Sequence, residues 1–269
     1  MLLHFSAFET NPMLDVRPIP AFSDNYIWLI RAPDGNSAFV VDPGDGTVVI
    51  DALEAEGLDL VGILITHHHF DHVGGLATLR ERYSPVVYGP DNPAIDGIDR
   101  TVRAGDSVHV LGRDFDVLPV PGHTLDHIAY FSDGEPPLLF CGDTLFAGGC
   151  GRLFEGTPEM MHHSLESLAA LPGSTQVFCA HEYTLANLAF ARAVEPGNHA
   201  LADRIEAAEA TRARGEPTVP STVGLELATN PFLRCSEPEL LDSLADQGRL
   251  ASDHGPGVFA TVRAWKDSF

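Results

Sequence analysis

The chain has 269 residues, 44% of them apolar, which suits one or two domains around a sizeable core. Its formal net charge is −22, with 38 acidic residues against 16 basic ones. No basic stripe is present to neutralise phosphates, so a nucleic-acid partner is excluded, and no apolar run approaches the roughly 20 residues of a membrane span.

The start of the chain lacks the basic, apolar and small-residue pattern of a signal peptide. Residues 1–13 read as an extension loosely attached to the rest of the chain, with Met13 as an alternative start. The first strand-like runs, apolar and β-branched, fall at 26–30 and 38–42, followed by a helix at 47–56. A strand at 62–66, a helix at 73–83 and a strand at 85–88 come next. Strands at 114–120, 128–131 and 138–141 succeed them, then a helix at 158–170. Thr157 is placed to cap that helix, and Pro158 then occupies the first helical position, where its missing N–H costs nothing. The last strand is at 176–180. After about Tyr183 strand-like runs stop. Helices are expected at 185–194, at 199–214, after a capping box at Ser236-Glu237-Pro238-Glu239, and at 258–265. The expected organisation is an α/β layered catalytic domain over 1–184 and a helical segment over 185–269.

The four cysteines, Cys141, Cys150, Cys179 and Cys235, show no C-x-x-C spacing, and a chain of this length has no need of disulfides. A reducing, cytoplasmic compartment is expected. Lys266 is the only lysine in the chain.

The chemistry gathers at strand ends. The run at 62–66 leads into Thr66-His67-His68-His69-Phe70-Asp71-His72, the run at 114–120 into His123, the run at 138–141 into Asp143, and the run at 176–180 into His181. Four apolar strands thus each deliver an imidazole or carboxylate at the C-terminal edge, where layered α/β folds build their sites. Seven nitrogen and oxygen ligands exceed the four of one tetrahedral metal. They suit two metals sharing a carboxylate and a water, with zinc, iron and manganese all compatible. On an extended segment His68 points away from His67 and His69. The other histidines, His127 among them, read as surface or core residues without a role at the site, support of a ligand from behind being the lesser alternative for His127, which is near His123. Cys141 and Cys179 read as small core residues, and Cys150 lies close to the site without being a ligand.

At these residues the chain resembles the metallo-β-lactamase superfamily, and within it the glyoxalase II (hydroxyacylglutathione hydrolase) family. The closer resemblance rests on four stretches: Pro20 to Trp28, Gly142 to Gly156, His181-Glu182-Tyr183-Thr184, and Asn230-Pro231-Phe232-Leu233-Arg234. It implies a four-layer αββα sandwich followed by a C-terminal α-helical domain that binds glutathione. It implies that His67, His69 and His123 hold one metal, that Asp71, His72 and His181 hold a second, and that Asp143 bridges both. The implied reaction is hydrolysis of S-D-lactoylglutathione, and of similar 2-hydroxyacyl glutathione thioesters, to glutathione and D-lactate by a metal-bridging hydroxide, the second step of methylglyoxal detoxification. The implied cofactors are two divalent ions, zinc ahead of iron or manganese. Asp71 and Asp143 would be the catalytic carboxylates. Arg152, Tyr183, Arg263 and Lys266 match family residues that bind glutathione, whereas Phe154 stands where some members carry a tyrosine and so lacks one hydroxyl contact. Arg263 and Lys266, three residues apart, share a helical face if the last helix continues; two solvated terminal charges are the alternative. The chain is expected to act as a monomer on a small-molecule thioester. Competing readings are a mononuclear-iron persulfide dioxygenase of the same superfamily, a β-lactamase or lactonase, and a non-catalytic scaffold.

Overall fold

The structure is a computed structural model that describes residues 13–251 and 254–269. The expected N-terminal extension, with His4, lies outside the described residues except for Met13.

The first half of the described chain builds a mixed six-stranded sheet in the order β1-β2-β3-β4-β5-β6. Its strands are β1 (Asp15–Ala21), β2 (Asn25–Arg31), β3 (Ser37–Val41), β4 (Asp59–Leu64), β5 (Val86–Gly89) and β6 (Arg100–Thr101). Helix α1 (Gly46–Glu56) joins β3 to β4, while α2 (Phe70–Val73) and α3 (Leu76–Tyr83) join β4 to β5. Alternation along β2 shows how the sheet is buried on both faces. Ile27 and Leu29 pack with Val49 and Leu53 of α1 and Leu76 and Leu79 of α3. Tyr26, Trp28 and Ile30 point the other way, into a core shared with the second sheet.

The second sheet is also six-stranded, in the order β14-β13-β10-β9-β8-β7. Its strands are β7 (Ser107–Val110), β8 (Arg113–Pro119), β9 (Ile128–Ser132), β10 (Leu138–Gly142), β13 (Gln176–Cys179) and β14 (Ser221–Thr222). A small hairpin, β11 (Leu145–Phe146) and β12 (Gly149–Cys150), and the helix α4 (Pro158–Ala169) lie between β10 and β13. Thr157 caps α4 by accepting from the Met160 N–H at 3.3 Å. Leu138 through Cys141 are all buried in the same cluster as Met161, Leu165 and Leu168 of α4, so both faces of β10 are covered. The expected sandwich of two sheets between helical layers is the fold observed. It continues into α5 (Thr184–Val194), α6 (His199–Ala213), α7 (Val223–Thr229), α8 (Pro238–Asp246) and α9 (Gly255–Asp267).

Four local expectations change. The helix expected at 73–83 is broken into α2 and α3 by Gly74 and Gly75. A Cβ on Gly74 would lie 2.7 Å from the Gly44 carbonyl oxygen, and one on Gly75 2.5 Å from that of Pro43, so only glycine lets this turn seat on the β3–α1 loop. The expected capping box is absent: Glu237 takes the N-cap of α8 with no side-chain hydrogen bond, because Pro238 starts the helix one residue later than the box requires. Strand structure does not end at Tyr183, since β14 returns to pair antiparallel with β13. The edge strand β1 is masked in the sequence by Pro18 and Pro20, which an edge position tolerates.

Glu226 of α7 ties the helical segment to the β11–β12 hairpin. Its Oε2 accepts from the Gly148 N–H at 2.8 Å and from Asn230 Nδ2 at 3.0 Å, and its Oε1 accepts from Arg204 and Ser221. Asn230 Nδ2 donates on to the Gly149 carbonyl at 2.9 Å. Glu226 is fully buried, so removing it strands a buried guanidinium. Glu226→Ala is expected to destabilise the protein by about 3–5 kcal/mol, seen as a lower denaturant midpoint. A midpoint within error of wild type would contradict this tie.

Candidate metal centre

The C-terminal ends of β4, β8, β10 and β13 meet at one edge of the sandwich, stitched by backbone bonds between the sheets. The Ile128 N–H donates to Thr66 O at 3.0 Å, and the Tyr26 N–H to Ala180 O at 2.7 Å. Gly142 makes the turn from β10 to Asp143 at φ 47, and a Cβ there would sit 2.3 Å from Thr66 Oγ1. This position therefore requires glycine.

All seven ligand-type residues expected from the sequence come together. His69 Nδ1 lies 3.1 Å from His67 Nε2 and 3.0 Å from His123 Nε2. Asp71, on the single turn of α2, His72 and His181 form a second trio. His181 Nε2 is 3.4 Å from Asp71 Oδ2, and His72 Nε2 is 3.6 Å from the same oxygen. Asp143 faces both groups, 3.5 Å from His123 Nε2 through Oδ2 and 3.5 Å from His72 Nε2 through Oδ1.

These residues fit a divalent metal. Tetrahedral ligands about 2.0–2.1 Å from a zinc ion stand about 3.3 Å apart, close to the separations here. Three of the five imidazoles are engaged behind the centre through the ring nitrogen that does not face it, as is common for metal-binding imidazoles. His123 Nδ1 bonds the Arg152 carbonyl at 2.8 Å, His181 Nδ1 bonds Asp24 at 2.8 Å, and His67 Nδ1 lies 3.1 Å from Thr66 Oγ1. His72 Nδ1 approaches Asp42 Oδ2 at 3.0 Å, without hydrogen-bond geometry. His72 Nε2 and Asp143 Oδ1 are buried with no hydrogen-bond partner, the condition an ion would relieve.

The electrostatics divide the two groups. Burial, reinforced by neighbouring imidazoles, pushes the pKa of His67, His69 and His123 below the usual histidine value, so all three present lone pairs. Burial also opposes charge on His72 and His181, but carboxylates outweigh it. Asp143 and Asp42 hold His72 well above the usual value, and Asp143, Asp71 and Asp24 push His181 up to about 10. Burial works against ionisation of Asp143, yet His72 and His181 keep it well below the carboxylate range.

Several neighbours carry the support. His127, fully buried, accepts from the Asp143 N–H at 3.1 Å through Nε2 and stacks on His67 at 4.5 Å. Burial first, then His123, lowers its pKa to about 3, so it stays a neutral acceptor. His68 does turn away from the centre, bonding Asp126 Oδ1 at 2.9 Å and approaching Glu155 at 3.4 Å. Asp42 is a residue the sequence reading misses, although it ends β3 much as Asp143 ends β10; applying the strand-end criterion to every strand finds it. Asp24 and Asn25 lie within a family-like stretch, but the sequence alone assigns them no task. Asn25 Nδ2 donates to Asp71 Oδ2 at 3.0 Å.

A cavity of about 700 Å³ opens on this centre. Its walls include His69, Asp71, His123, Asp143 and His181 together with Arg152, Phe154, Tyr183, Arg263 and Lys266. Arg263 is only 6% exposed, so the solvated-charge alternative fails for it. Its Nη1 donates to Cys150 O at 3.2 Å and its Nη2 to Asp267 at 2.9 Å. Lys266 Nζ donates to Ala186 O at 3.2 Å. Tyr183 stacks flat on His181 at 4.7 Å, and Phe154 stands edge-on to His69 and His123. Cys150 lines the cavity, and burial raises its thiol pKa to about 11 despite Arg263 beside it, which makes it a poor ligand.

Protons compete with a metal for an imidazole of raised pKa up to higher pH. Affinity at the Asp71–His72–His181 cluster is therefore expected to climb as pH rises toward about 10, the value for His181. The His67–His69–His123 cluster, with lowered values, should have levelled off before neutrality. Chelator competition at stepped pH measures both, and identical slopes would contradict the division. Asp143→Asn should lower metal content at both clusters; full retention would contradict its shared position.

Comparison with known proteins agrees with this geometry. The model of the metallo-beta-lactamase superfamily matches residues 21–181, and that of the hydroxyacylglutathione hydrolase C-terminus matches residues 182–269. A hydroxyacylglutathione hydrolase from Chromohalobacter salexigens is 58% identical over 257 residues, spanning 96% of this chain and 100% of that protein. Among solved structures, ETHE1 from Myxococcus xanthus is 25% identical with a TM-score of 0.63, covering 95% of this chain and 99% of that one. A protein solved in a di-iron-bound form is 27% identical with a TM-score of 0.59, covering 81% of this chain and 100% of that one.

Proposed function

The chain belongs to the hydroxyacylglutathione hydrolase family of the metallo-beta-lactamase superfamily, and from that membership we propose that it hydrolyses S-D-lactoylglutathione and similar 2-hydroxyacyl glutathione thioesters to glutathione and the free acid. The observation that carries this reading is a single cavity joining two kinds of wall: the His/Asp centre, and the cations Arg152, Arg263 and Lys266. Glutathione bears two carboxylates, and a protein of net charge −22 needs local positive charge to hold them. The 58% identity to a hydroxyacylglutathione hydrolase, together with the match of residues 182–269 to the C-terminal part of that family, favours the hydrolase over the oxygenase alternative.

We read His67, His69 and His123 as holding one divalent ion, Asp71, His72 and His181 as holding a second, and Asp143 as shared. Zinc stands ahead of iron or manganese, and the di-iron form of a structural neighbour supports two ions in this fold. Bound there, the ions would polarise the thioester carbonyl and acidify an attacking water. The residues of the chain do the rest. Asp71, its Oδ2 steadied by Asn25, accepts a hydrogen bond from the attacking water and aims it. Arg263, rigidly held, and Lys266 take the remote carboxylates, and Arg152 adds charge at the mouth. Tyr183 and Phe154 bracket the bound chain between flat apolar faces. The leaving thiolate is stable near neutral pH, so no strong general acid is required. Residues 185–269 then serve as the glutathione-binding part and 1–184 as the catalytic part. The four cysteines are free and buried, which fits action in the reducing cytoplasm, as a monomer.

The deciding experiment measures thioester hydrolysis of S-D-lactoylglutathione on protein of known metal content. Turnover with two ions per chain is expected; one iron per chain with oxygen consumption would overturn the reading. Arg263→Ala with Lys266→Ala should raise KM by roughly 10-fold or more with a smaller change in kcat, because these groups bind a part of the substrate remote from the reacting carbonyl. A collapse of kcat at unchanged KM would remove them from glutathione binding.

A further inference from the structure

We propose that the dipeptide Asp24-Asn25 is the positioning element of the Asp71–His72–His181 cluster, holding one side chain from each sheet and thereby setting how tightly that cluster binds its ion. The inference rests on the two-metal reading and adds two residues that touch neither ion nor substrate.

The geometry begins in the backbone. Asp24 lies in the turn between β1 and β2, and Asn25 is the first residue of β2. The Glu182 N–H donates to Asp24 O at 2.9 Å, the Tyr26 N–H donates to Ala180 O at 2.7 Å, and Asn25 and His181 form an antiparallel bridge. Residues 24–26 of the first sheet are thus registered against residues 180–182 of the second.

The two side chains use that register in opposite directions. His181 Nδ1 donates to Asp24 Oδ1 at 2.8 Å. With Nδ1 engaged by Asp24, Nε2 is the nitrogen turned to Asp71 and Asp143, each 3.4 Å away, and the one that an ion would take. Asn25 Nδ2 donates to Asp71 Oδ2 at 3.0 Å. An amide is needed at this position, because a carboxylate in its place would repel Asp71. Asp71 sits on a helix of one turn, α2, which has little stiffness of its own, so the Asn25 bond fixes its carboxylate. The other cluster does not depend on this dipeptide: its outer partners are Thr66 and the Arg152 carbonyl. The effect is therefore selective for one of two neighbouring ions.

The test loads wild type, Asp24→Ala, Asp24→Asn and Asn25→Ala with zinc and measures ions per chain and their affinities by chelator competition. Cobalt-substituted absorption spectra report coordination independently of activity. Wild type should take two ions. Asp24→Ala and Asn25→Ala should keep one ion at wild-type affinity and bind the other roughly 10–100-fold more weakly, the range seen when such outer partners are lost. Asp24→Asn keeps an acceptor for the Nδ1 proton and should fall between, and it carries the test if the alanine variant does not fold. Unchanged affinities for both ions in these variants, or equal weakening of both, would overturn the proposal while leaving the metal reading intact. A wild-type protein that takes up fewer than two ions would overturn the metal reading, and this inference with it.

Discussion

Burying a carboxylate costs several kcal/mol unless opposite charge and hydrogen bonds offset the lost water. Asp143 is 6% exposed and still held in its ionised form by His72 and His181. Those two imidazoles arrive from different sheets, so both sheets contribute to keeping Asp143 charged. The consequence is architectural: the two sheets must close on each other at this edge. The bonds across the gap do this. Trp28 Nε1 donates to Cys179 O at 2.9 Å, and Tyr130 OH donates to Ile65 O at 2.8 Å, each from a core ring on one sheet to the last turn of a strand on the other.

The same constraint explains why segments far apart in the chain behave as single units. The stretch from Pro20 to Trp28 and the stretch from His181 to Thr184 share one surface, since Asp24 bonds His181 and Tyr26 OH donates to Glu182 at 3.1 Å. The stretch from Gly142 to Gly156 contains the β11–β12 hairpin, and Asn230 donates into the carbonyls of that hairpin. That hairpin carries the chain from Asp143 to Arg152. The helical segment therefore contributes the Arg263 and Lys266 cations and also holds in place the connection between the carboxylate and the third cation of the cavity.

Much of this is legible in the sequence because strand ends announce themselves. An apolar run followed by glycine and a ligand-type residue is unlike a solvated loop, and β4, β8, β10 and β13 each lead into ligand-type residues. Short elements are harder. β14 has two residues and exists because β13 offers it an edge, a condition that local composition cannot express. The break between α2 and α3 depends on carbonyls of the β3–α1 loop, about 30 residues earlier in the chain. Asp24, Asn25 and Asp42 are polar residues beside turns, where polar residues are the default. Asp42 at least follows a strand, whereas the tasks of Asp24 and Asn25 lie in contacts as distant as the 157 positions separating Asp24 from His181, and no local pattern marks such a contact.

The charge balance presents a problem that the cavity resolves locally. A net charge of −22 creates a field that repels an anionic thioester during approach. At physiological ionic strength this field decays over about 8 Å, so what matters on arrival is the charge within one screening length of the cavity. Arg263, sequestered from water and stacked against Phe232, is screened far less than the acidic residues of the outer surface. Its partner Asp267 also lies 3.9 Å from Arg152, so one carboxylate holds two of the three cations near each other. On the proposed substrate binding, a carboxylate entering there would meet guanidinium groups already drawn together. Holding like charges close costs free energy, and Asp267 offsets that cost. The acidic surface and the cationic pocket therefore do not conflict: the first acts at long range, and the second, on the proposed substrate, would act at contact distance.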